Sequence, residues 1–89
     1  MQNFYHDGCN LRTSAKNLVY TFMQATPDCY SYADGMRAAE IFRACGLDWG
    51  TYENATSSNQ QYWLVALLRE LESENKIVRD TSTKLWRLK

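Results

Sequence analysis

The chain has 89 residues, 45% hydrophobic, with ten basic and ten acidic side chains and a net charge of zero. That length suits one domain with a single small core and excludes a cleft between two domains. No run of about 18 apolar residues occurs, so no membrane-spanning segment is expected. The N-terminus MQNFYHDGCNLR lacks a basic start followed by an apolar stretch, so it does not read as a secretory signal. Three widely spaced cysteines, Cys9, Cys29 and Cys45, fit a reducing cytoplasm better than a disulfide framework.

Residues 1–11 show no period and read as a loose N-terminal arm, with the domain occupying residues 12–89. Thr13 or Ser14 offers a helix start. Ala15, Leu18, Val19, Phe22 and Met23 then recur at helical spacing and predict one buried face. Pro27 ends that helix by clashing with the preceding turn. Cys29-Tyr30-Ser31-Tyr32 is short and aromatic, and a brief strand is expected near Tyr30–Tyr32. Asp34 is a candidate cap for a second helix over about Gly35 to Cys45, facing inward through Ala38, Ile41, Phe42 and Cys45. Gly46 should end it in the left-handed conformation, with Leu47 packing back.

Residues 48–57, DWGTYENATS, are irregular and read as a connection carrying two large rings, Trp49 and Tyr52. A third helix is predicted from Ser57 or Ser58 to about Glu74, with Leu64, Leu67, Leu68 and Leu71 as its core stripe and Trp63 on its shoulder. The period then changes from 3.6 to 2. Ile77 and Val78 open a strand, Asp80-Thr81-Ser82-Thr83 forms the turn, and Leu85, Trp86 and Leu88 belong to the return strand. Charge divides along the same line. Residues 47–75 carry five acids against Arg69, a balance of −4, while residues 76–89 carry five basic side chains against Asp80, a balance of +4.

Three pieces in this order resemble the winged helix-turn-helix superfamily. They are Ala39-Glu40-Ile41-Phe42-Arg43-Ala44-Cys45-Gly46-Leu47, Leu64-Val65-Ala66-Leu67-Leu68-Arg69-Glu70-Leu71, and the hairpin from Lys76-Ile77-Val78-Arg79 to Leu85-Trp86-Arg87-Leu88. The resemblance covers residues 12–89 and implies an α+β, mainly α fold: three helices with a C-terminal β-hairpin wing. It further implies a small cytoplasmic DNA-binding regulator of transcription. The third helix, about residues 58–74, would read duplex DNA, and the wing would rest on the phosphates. On that reading the outward positions Ser58, Asn59, Gln61, Tyr62, Val65 and Arg69 face the bases. Gln61 and Asn59 have the paired donor and acceptor that adenine takes. Arg79, Lys84 and Arg87 supply phosphate contacts.

A narrower group with this fold, which binds left-handed nucleic acid, also has a wing tryptophan. This chain has Val65 and Arg69 where that group has Asn and Tyr, so Trp86 reads instead as a core-facing strand residue. The competing expectation is a winged-helix protein-interaction module without DNA binding, using the Tyr62–Val65 face or the Trp49–Tyr52 loop. Zero net charge and the acidic C-terminal half of the third helix favour it, and the lack of Lys or Arg in the first two turns of that helix departs from the DNA-reading pattern. Modules of this size often act as dimers, and the first helix, the arm or the Trp49–Tyr52 loop are each candidates for a homodimer contact. His6 is the single histidine and sits apart from any nucleophile pattern. No glycine-rich phosphate loop occurs, so no cofactor, metal or enzymatic activity is expected.

Overall fold

The structure is a computed structural model that describes residues 1–48 and 62–89. The connection carrying Trp49 and Tyr52, and the expected start of the third helix, lie outside the described residues.

The chain opens with α1, Phe4–Ala25. The Asn3 side chain accepts from the His6 N–H at 3.0 Å, and Asp7 sits in the first turn, where the helix dipole favours an acid. Residues 4–11 are therefore helical, and the loose arm expected there is corrected. The cap was hidden by apolar residues that do not continue the core face. Of that face, Val19 and Met23 are buried, and Ala15 and Phe22 pack partly against the core. Leu18, also expected inside, is 46% exposed, while Tyr20 takes up contact with the core. The helix stops as Pro27 predicts. Thr26 caps it, its hydroxyl donating to the Phe22 carbonyl at 2.6 Å.

Residues 27–33 turn rather than extend. Cys29, Tyr30 and Ala33 donate their backbone N–H groups to the carbonyls of Thr26, Pro27 and Tyr30. Pro27–Cys29 forms a single 3-10 turn with Cys29 fully buried, so the strand expected near Tyr30–Tyr32 is absent. The extended contact occurs instead at Met36, which exchanges both backbone hydrogen bonds with Trp86 at 2.9 and 2.8 Å. Gly35 makes that approach feasible. Its φ is +99°, and a Cβ there would stand 2.6 Å from the Trp86 carbonyl oxygen.

Because Gly35 and Met36 serve the bridge, α2 is shorter than expected and spans Ala38–Ala44, entered through Arg37 rather than Asp34. Its inner face is Ala39, Ile41 and Phe42, with Ala38 and Cys45 partly covered. Gly46 has φ +72° and donates to the Arg43 carbonyl, while Leu47 donates to Phe42. These two bonds satisfy the last carbonyls of the helix.

The third helix, α3, is described over Tyr62–Ser73. Leu64, Leu67, Leu68 and Leu71 are all buried, as the stripe predicts. Burying each is worth about 1.5–3 kcal/mol relative to exposure. The helix ends on Asn75 at φ +63°, with Lys76 donating back to Leu71. Strand β1 (Ile77–Arg79) then pairs antiparallel with β2 (Trp86–Leu88), setting Ile77 opposite Leu88, Val78 opposite Arg87 and Arg79 opposite Trp86. Ile77 and Trp86 face the core, which confirms the inward reading of Trp86. Among the described residues, three α-helices and a two-stranded hairpin thus share one core, an α+β arrangement that is mainly helical.

Candidate nucleic-acid interface

With four leucines turned inward, α3 presents Arg69 outward and leaves Val65 half-buried at the core margin. The Arg69 guanidinium lies 5.2 Å from the centre of the Trp86 ring. Arg79, directly across the hairpin from Trp86, places its guanidinium 5.9 Å from the same ring. The indole is buried, so two cations close over its outer margin, an arrangement that the ring quadrupole favours. A hollow of about 310 Å³ opens here, lined by Arg37, Val65, Arg69, Arg79, Lys84 and Trp86 among others.

Four cations therefore border one hollow. Two have nearby acids: Arg37 with Glu40 Oε1 at 3.0 Å, and Arg69 with Glu72 Oε1 at 3.1 Å. Among the described residues, Arg79 and Lys84 form no ion pair with a carboxylate. Lys84 is held in place by its turn. Its N–H donates to the Asp80 carbonyl at 2.8 Å, and its backbone is left-handed, φ +64°. The Asp80 carboxylate accepts the backbone N–H groups of Thr83 and Ser82 at 2.9 and 2.8 Å. These bonds, from Thr83 first, hold its pKa below the ordinary carboxylate value.

Glu70 of α3 and Glu74 just beyond it are answered by α1 instead. Lys16 Nζ donates to Glu70 at 2.7 Å and to Glu74 at 2.5 Å, and Arg12 lies 3.9 Å from Glu70. The Lys16 pKa is raised, mainly by its bond to Glu70, and that of Glu74 is lowered, mainly by its bond to Lys16. Much of the −4 balance read from residues 47–75 is thus met by α1, away from the hollow.

The structure brings together four of the expected DNA-contacting residues: Val65, Arg69, Arg79 and Lys84. Arg87 is not among them. It pairs with Val78 on the other face of the hairpin, because residues alternate along a strand, and its guanidinium lies 3.6 Å from Asp80. Ser58, Asn59 and Gln61 lie outside the described residues. Tyr62 begins the described part of α3, and its side chain lies outside them. Arg37 joins the hollow although the sequence reading placed it inside the second helix. The signal was Gly35, whose use in a close backbone contact delays the helix and leaves Arg37 at its entrance.

Comparison with known protein families, with curated proteins and with solved structures yields no match. Among the described residues, no three His, Cys, Asp or Glu side chains gather as a metal site would, and no helix is long and apolar enough to cross a membrane. Burial pushes the Cys29 thiol up to about 11, which keeps it protonated at neutral pH.

Proposed function

We propose that the chain is a small winged-helix DNA-binding protein that contacts duplex DNA with α3 and the hairpin and acts as a regulator of transcription. The observation that carries this reading is the convergence of Arg69, Arg79, Lys84 and Arg37 on one hollow beside the outward face of α3. Guanidiniums held over an indole keep their N–H edges available in a fixed direction, which suits phosphate oxygens. The wing then rests on the backbone through Arg79 and Lys84. The N-terminal part of α3 enters the major groove, and Asn59 and Gln61, which precede it in the sequence, are the proposed base contacts.

Fluorescence anisotropy with mixed-sequence duplex DNA at low and moderate salt tests this. Binding should fall steeply with salt, and Lys84→Ala and Arg79→Ala should each lower the slope of log K against log salt by about one. Arg87→Ala, on the other hairpin face, should change it less. Gln61→Ala should alter sequence preference instead. A folded sample that binds no duplex at low salt rejects this function. It would favour the protein-interaction reading, for which the zero net charge is the specific observation.

A further inference from the structure

Along α1 runs an apolar seam that the described core covers only in part. Phe4, Gly8, Leu11, Ala15, Leu18 and Phe22 follow one another at alternating steps of four and three. That is the spacing of the a and d positions of a heptad, with Phe4, Leu11 and Leu18 at d and Gly8, Ala15 and Phe22 at a. Phe22 and Ala15 pack partly against the core, but Phe4 is 78% exposed and Leu11 72%, and Leu18 is also open to solvent. Tyr5, beside the seam, is 83% exposed. A hollow of about 630 Å³ flanks this stretch, lined by Gly8, Leu11 and Ala15 of α1 and by Trp63 and Ala66 of α3.

Among the described residues, nothing packs onto Gly8. A Cβ placed there meets nothing within 4 Å, and its φ is not positive. A glycine inside a helix destabilises it relative to alanine. Its gain is that another backbone can come close.

We propose that this seam pairs with the same seam of a second copy, the two α1 helices lying parallel about a two-fold axis. Charge selects both the occupant and the direction. In a parallel pair, the g position of one heptad faces the e position of the next heptad in the partner. Here those positions are Asp7 and Arg12, so two symmetric Asp7–Arg12 pairs form across the axis. An antiparallel pair sets e against e and g against g, and neither charge then meets its opposite. Among the described residues, the Asp7 carboxylate accepts from an exposed Gln2 side chain at 3.1 Å and Arg12 lies 3.9 Å from Glu70, so neither is strongly committed within the chain. Phe4, Tyr5, Leu11 and Leu18 together expose on the order of 500 Å² per copy, a large share of the roughly 800 Å² per partner in a specific interface. This pairing is independent of DNA binding.

Sedimentation equilibrium of the full chain over a wide concentration range tests the proposal, with circular dichroism as the check on folding. The wild-type chain should dimerise. Leu11→Glu, at an exposed position, should leave the helix content intact and weaken dimerisation by roughly a hundredfold. Asp7→Lys and Arg12→Glu should each weaken it about tenfold, and the double variant should recover most of that loss. A wild-type chain that stays monomeric at every concentration overturns the proposal and leaves the seam to a different protein. A dimer insensitive to Leu11→Glu also overturns it. A dimer that Leu11→Glu breaks but the charge swap does not restore overturns the parallel arrangement.

Discussion

The two ends of the molecule use the same residue types in opposite ways. At the C-terminal end, Ile77 and Trp86 are buried and the exposed positions of the hairpin go to Lys, Thr and Ser. At the N-terminal end, Phe4, Tyr5 and Leu11 stand in solvent on a helix that has left its core behind. An aromatic ring thus means core in one place and surface in the other. What separates them is whether a second element lies within reach. Trp86 is met by Met36, Arg69 and Arg79 from three directions, whereas Phe4 stays open.

Substitutions can break this contrast. Trp86→Ala should have the largest effect, about 3–5 kcal/mol of stability in urea unfolding, with Leu68→Ala close behind at roughly 2–5 kcal/mol. A loss below about 0.5 kcal/mol at Leu68 would mean that the α3 stripe faces elsewhere. Gly35→Ala should cost about 2 kcal/mol in the same assay, since it combines an unfavourable φ with a Cβ pressed on the Trp86 carbonyl. Leu11→Ala should change stability by less than about 0.5 kcal/mol in dilute solution. A large loss there would show that the N-terminal seam is already covered within one chain.

The hairpin turn responds to pH in a defined direction. The Asp80 pKa is depressed by the N–H groups of Thr83 and Ser82, so its contribution is complete above the ordinary value of 3.8 and is lost as the pH falls below it. Amide exchange at Ser82 and Thr83 should therefore accelerate in acid before the core amides do. Asp80→Asn should remove most of that acid dependence.

Sequence periodicity revealed the elements whose burial repeats regularly. The leucines of α3, the Pro27 stop, the Gly46 terminus and the inward Trp86 are in this class, because each follows from a local rule of packing or backbone geometry. Three features were not legible, for different reasons. The opening turns of α1 depend on one Asn3 side-chain bond, and their apolar residues do not face the core. The expected strand at Tyr30–Tyr32 gave way to a turn after Pro27, and the extended contact moved to Met36, which only long-range pairing selects. Arg37 and Arg87 exchanged places relative to the hollow because both depend on register. A three-residue delay at the start of α2, from Gly35 to Ala38, brings Arg37 in, and strand alternation turns Arg87 away. In the candidate interface, Arg69, Arg79 and Lys84 could be identified as cations, but their gathering at one hollow, with the two arginines over the Trp86 ring, could not be read from spacing.

The Met36–Trp86 bridge joins residues some fifty positions apart. Closing a loop of that size is slow compared with forming α1 or the hairpin, which need only local contacts. The bridge should therefore close after the folding transition state. A lesion at Gly35 would then leave the rate of folding nearly unchanged and act by speeding unfolding, shortening the lifetime of the native chain rather than delaying its appearance.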